Sequence, residues 1–104
     1  MTTTTVFDIT AARNSILRAL KRRSRTPNRW SVRLQRNGSN PTLLITVVPR
    51  YLDTGGRLHP EDAAELGRLL GLGGPAPAEG VRVPATEAAL RACYAQALGM
   101  VREA

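Results

Sequence analysis

Soft ligands and aromatic side chains are scarce in this 104-residue chain: one cysteine, one histidine, one tryptophan, and 4% aromatic residues in all. A single cysteine excludes an internal disulfide and fits a reducing cytoplasm. One histidine and one cysteine cannot assemble a soft metal site within one chain, so neither a metal nor another cofactor is expected. So few aromatics argue against a sheet that stacks bases on aromatic rings. The longest strand-like apolar stretch, Leu43-Leu44-Ile45-Thr46-Val47-Val48, is far too short for a membrane-spanning helix. Met1-Thr2-Thr3-Thr4-Thr5 has neither the basic nor the apolar region of a secretory signal. A cytoplasmic protein without a membrane span is the expectation. With 42% apolar and 22% charged residues, the remaining chain has the composition of a soluble globule. Its length allows one domain over 8–104, preceded by a disordered tail over 1–7.

Acids are missing from one half. Residues 1–50 hold ten cations and only Asp8 as an acid, whereas 51–104 hold five cations and seven acids. Nine of the first ten cations lie between Arg13 and Arg36. Fourteen of the fifteen cations are arginine, which a bias toward Ala, Gly, Pro and Arg explains. That bias does not explain why the acids avoid the first half. A one-sided positive field favours a polyanion: nucleic acid, an acidic protein or an anionic surface.

Apolar residues Ile9, Ile16, Leu17 and Leu20, with Ala12 and Ala19, recur at helical spacing and predict a helix over 9–23, with Asp8 or Thr10 as its cap. Pro27 breaks it. Trp30, Val32 and Leu34 then alternate with Arg29, Ser31, Arg33 and Gln35, as a strand does, and this parity places Arg29 and Arg33 on one face. An Asn37-Gly38 turn leads to a second strand over Thr42–Val48, apolar on both parities and therefore central or covered on both sides. His59-Pro60-Glu61-Asp62 reads as a helix start with His59 at the cap, and Gly71-Leu72-Gly73-Gly74 as its stop. A mobile Pro/Gly/Ala loop over 73–80 and a short strand over Val81–Val83 follow. From Thr86, a last helix presents Leu90, Cys93, Tyr94, Ala97, Leu98 and Val101 as one apolar stripe. The expected fold class is α+β, in the order α-β-β-α-(β)-α, with helices packed on one face of a small antiparallel sheet. The free sheet edges and the last helix make a homodimer possible.

Candidate chemistry is thin. No Gly-x-Ser-x-Gly surrounds any serine, Cys93 falls on an apolar stripe, and His59 suits a helix start better than a general base. Glu61, Asp62 and Glu65 complement a helix N-terminus and do not read as a cation site. Gly71-Leu72-Gly73-Gly74 lacks the preceding strand and following Lys of a phosphate loop. The basic constellation is the stronger signal. Lys21-Arg22-Arg23-Ser24-Arg25 ends the first helix, Arg29, Arg33 and Arg36 continue along the first strand, and Ser24, Thr26 and Asn28 add neutral donors. Guanidinium groups hold phosphate bidentately, and Arg18, Lys21, Arg22, Arg25, Arg29 and Arg33 are the expected nucleic-acid contacts. Trp30 shares its parity with Val32 and Leu34, which makes it core.

The basic first helix, Trp30-Ser31-Val32-Arg33, Leu58-His59-Pro60-Glu61-Asp62-Ala63-Ala64-Glu65-Leu66 and Gly80-Val81-Arg82-Val83-Pro84-Ala85 resemble small uncharacterised bacterial α+β proteins. That resemblance implies architecture and no activity. The first helix, the hairpin and Asn37-Gly38-Ser39 are also similar to HicA-type toxins, which implies a double-stranded-RNA-binding-like fold. Asn40 stands where that family has its catalytic histidine, which leaves binding without cleavage open. The leading expectation is a non-enzymatic protein that binds nucleic acid through phosphates with little sequence readout. A module or inhibitor acting on an acidic protein comes second, and an RNase-like toxin third.

Overall fold

The computed structural model describes residues 7–37 and 40–100. Helix α1 spans Ile9–Arg23, and the Asp8 carboxylate accepts the Ala11 N–H at 3.2 Å, one of the donors a helix start leaves unpaired. Ile16, Ala19 and Leu20 form its buried stripe. After a 3-10 turn at Pro27–Arg29, strand β1 (Trp30–Asn37) pairs antiparallel with β2 (Asn40–Val47), in a register running from Trp30↔Val47 to Asn37↔Asn40. Helix α2 covers Pro60–Leu70, β3 covers Val81–Pro84 and α3 covers Glu87–Ala97. The fold is α+β, and its sheet has the order β1-β2-β3 with both pairings antiparallel.

The two sheet faces differ as alternation requires. Trp30, Val32, Leu43, Ile45 and Val47 are buried under the helices. Arg33, Leu44 and Arg82 form one cross-strand row on the opposite face. In the helical layer, α1 packs on β1 and α3, while α3 packs on β3 and α2. Central placement explains the double apolar parity of β2. This strand begins at Asn40, two residues before the expected Thr42, because pairing continues to Asn37↔Asn40. Pro41 is tolerated there: its carbonyl accepts the Ala85 N–H, and its missing N–H faces the end of β3. The expected turn residues Gly38 and Ser39 lie outside the described residues, as do residues 1–6 of the expected tail and Val101 of the expected stripe. Phe7, placed in that tail, packs against the core.

Segment 73–80, expected as a mobile loop, is tied to α2. Ala76 is buried and donates its N–H to the Ala63 carbonyl at 2.8 Å, and Leu58 donates to Ala78 at 2.7 Å. The chain crosses α2 so closely that a Cβ on Gly67 would stand 1.9 Å from the Gly74 carbonyl oxygen. Gly67→Ala therefore forces backbone apart in a packed region, at a cost of roughly 1–3 kcal/mol or more. Urea unfolding of the variant is expected to show a lower midpoint; an unchanged midpoint contradicts this packing.

Candidate nucleic-acid interface

All three helices bring their C-termini to one place. Arg23, the last residue of α1, directs Nη1 at the carbonyls of Leu69 in α2 (3.1 Å) and of Gln96 and Ala97 in α3 (2.9 and 3.2 Å). One nitrogen with two hydrogens is thus shared among three acceptors. Helix α3 has no basic residue in its last turn, and Arg23 supplies one. The chain leaves α3 through Gly99 at φ +74°, where a Cβ would approach the guanidinium carbon of Arg23 to 3.0 Å. Arg23 is therefore structural, unlike its neighbours Lys21 and Arg22.

The loop after α1 is equally engaged. Ser24 Oγ donates to Glu65 Oε2 at 2.6 Å and accepts from Trp30 Nε1 and the Thr26 N–H, which uses all three of its hydrogen-bonding positions. Glu65 also accepts the Arg25 N–H at 3.1 Å and the Thr26 hydroxyl at 3.4 Å. Ser24 and Thr26, expected as phosphate donors, instead fasten the loop to α2, and Glu65 is an anchor more than a complement to the helix dipole. Trp30 is buried, as its parity implies.

Among the six expected contacts, Arg18, Lys21 and Arg22 lie on one exposed stripe of α1, at relative positions 0, 3 and 4. Arg25 follows the helix and is also exposed. Arg29 departs from the expectation. It ends the 3-10 turn, where its guanidinium pairs with Asp62 at 3.4 Å and stands 4.5 Å from the centre of the Tyr51 ring. The Asp62 side chain is only 8% exposed, so Arg29 neutralises a buried carboxylate and does not line up with Arg33. Arg33 is exposed on the outer sheet face. Since α1 packs on β1, the edge strand, the α1 stripe and the outward side chains of β1 flank one edge of the protein from two sides.

Sequence reasoning missed Arg82. It comes from the net-acidic half, yet β3 places it in the Arg33–Leu44 row, where it donates to Gln35 Oε1 at 2.7 Å. Its position between Val81 and Val83 was the available signal. Five cations in α1 and three in the strands are accompanied by no acid in either. Among the described residues, ion pairs involve only Arg29, Arg68 and Arg91 as cations.

The remaining candidates sit apart. His59 precedes α2 at the cap position, but its side chain makes no capping bond. Cys93 is buried on α3, and burial pushes its thiol up to about 11. Among the described residues no helix is long and apolar enough to cross a membrane, and no group of three potential metal ligands occurs. Compared with protein-family models, curated proteins and solved structures, the chain matches none.

Neighbouring arginines should thus behave differently. Arg23→Met removes charge-assisted bonds from carbonyls of two helices and should cost roughly 1.5–3 kcal/mol. Arg22→Met, one residue away on the exposed stripe, should stay within about 0.5 kcal/mol of the parent. Equal losses in chemical denaturation would refute the division.

Proposed function

We propose that this chain is a non-enzymatic protein that binds nucleic acid through phosphate contacts along the α1–β1 edge, with little sequence readout. The observation that carries the reading is the segregation of charge: α1 and the sheet hold eight cations and no acid, and the acids among the described residues lie in α2, α3 and the loops or at the cap of α1. Ordinary surface salt-bridging intersperses the two signs. Arg18, Lys21, Arg22, Arg25 and Arg33 are the contacts, joined by Arg36 at the exposed end of β1. Arg29 is set aside because its guanidinium already holds Asp62. These residues reach outward from a helix and a strand, so they track a backbone and do not converge on one phosphate. Sequence-independent binding follows from such contacts. A buried, reduced Cys93 suits the cytoplasm, where this reading places the protein.

Salt tests the proposal. With four to six of these cations on phosphates at once, the slope of log affinity against log salt is roughly −4 to −5 on duplex DNA. Unrelated duplexes of equal length should bind alike. Arg22→Gln with Arg25→Gln should flatten the slope by about 2, and Arg57→Gln with Arg91→Gln should leave it unchanged. Failure to shift DNA or RNA, single- or double-stranded, at about 50 mM salt, where such binding is strong, overturns the reading. The non-enzymatic part predicts that His59→Ala costs only a few tenths of a kcal/mol, because the side chain caps nothing. A folded His59→Ala variant that lost a catalytic rate a thousandfold would refute it.

A further inference from the structure

The two edges of the sheet are built differently. In an antiparallel ladder, residues alternate between bonding inward to the neighbouring strand and presenting their N–H and C=O outward. The Val48 N–H bonds to the Arg29 carbonyl at 2.7 Å, which sets the phase of β1. Ser31, Arg33 and Gln35 therefore bond to β2, and Trp30, Val32, Leu34 and Arg36 turn their main-chain groups outward. The Ala85 N–H bonds to Pro41 at 3.0 Å, which likewise turns Arg82 and Pro84 outward on β3. The β3 edge is thus four residues long, and one of its two outward positions is a proline with no N–H to offer. Short length and proline are the usual protections of an edge. The β1 edge has neither: it runs for eight residues without proline. Among the described residues, no further strand, loop or side chain bonds to its outward groups.

We propose that the β1 edge receives an added strand, and that its occupant is an extended acidic segment of another protein. The charge of the edge selects this partner. A strand laid along β1 brings alternate side chains beside Ser31, Arg33 and Gln35 on the outer face, where Arg33 is the cation; Arg36 has the parity of Leu34 and lies on the other face. Opposite charges across neighbouring strands are stabilising and like charges destabilising. The alternate positions of the incoming segment lie beside Leu34, which is only half-buried, and are best apolar. The recognised chemistry is therefore an alternation of acidic and apolar residues, held by main-chain bonds whose register the side chains specify. A second copy of this chain fits worse. Symmetric pairing centred on Arg33 sets that residue against itself, and any register brings two α1 stripes to one edge.

The experiment uses the full chain without nucleic acid, so its outcome is independent of the phosphate-binding reading. Four fluorescent eight-residue peptides are compared by anisotropy at low and moderate salt. One alternates Val and Glu; two have the same sequence with backbone N-methyl groups on every second residue, in versions that differ by one position; one alternates Val and Lys. The Val-Glu peptide should bind. One N-methyl version should bind at least tenfold more weakly, and the other, whose methyl groups face away from β1, about as well as the parent. The Val-Lys peptide should not bind, and Arg33→Glu should reverse the preference between Glu and Lys peptides. If both N-methyl versions bind like the parent, the attraction is charge alone and strand addition is wrong. Lack of binding by the Val-Glu peptide, or a stable dimer that it cannot dissociate in sedimentation, also overturns the proposal.

Discussion

Helices that end together face a common electrostatic problem, and Arg23 is the answer this fold depends on. Each helix C-terminus carries about half a negative charge and several unpaired carbonyls. Here three such ends converge, and α1 and α3 lie side by side in the same direction, because Phe7 and Asp8 share a groove with Glu87 and Arg91 at their other ends. Parallel dipoles at short range repel. A guanidinium among the carbonyls of Leu69, Gln96 and Ala97 reverses that balance and sets how far the helices can slide past one another. With the helical layer fixed, the sheet beneath it has one covered face and one open face.

The same helix that supplies this cation carries the cations assigned to nucleic acid, and only helical phase separates the two roles. Arg23 follows Ile16, Ala19 and Leu20 on the inward stripe, whereas Arg18, Lys21 and Arg22 face solvent. A second division occurs after the helix, where Arg29 turns in to Asp62 and Arg33 turns out. Counting arginines overstates the interface. What remains after the two structural arginines are removed is still one-signed, since Glu65 is occupied by the loop after α1 and Asp62 by Arg29.

Much of the architecture was legible because local signals agreed. The α1 boundaries followed from Asp8, the apolar period and Pro27; the hairpin followed from alternation around a turn; α2 followed from Pro60 and its acids; and Val81-Arg82-Val83 marked the third strand. Less of the site was legible, because a guanidinium looks alike in every role. Phase could have separated Arg23 from Arg22, since positions 16, 19, 20 and 23 form one stripe. No local pattern announces that Asp62 is buried and waiting for Arg29, because that depends on how α2 meets the start of β1. The pairing of β3 with β2, which brings Arg82 into the row of Arg33, joins segments about forty residues apart and leaves no trace in either.

The Arg23 clasp also bears on when this protein can exist as a folded object. Its acceptor Gln96 lies 73 residues downstream. At synthesis rates of about 5–20 residues per second, α1 waits roughly 4–15 s for the helix end whose carbonyls Arg23 binds. The central strand likewise waits for β3. Until α3 emerges, α1 and the hairpin are held by their mutual packing and by the contacts of Glu65 and Asp62 with the loop after α1 and with Arg29. The helical layer of this domain is therefore completed only by α3, well after the strongly basic first half of the chain has been made.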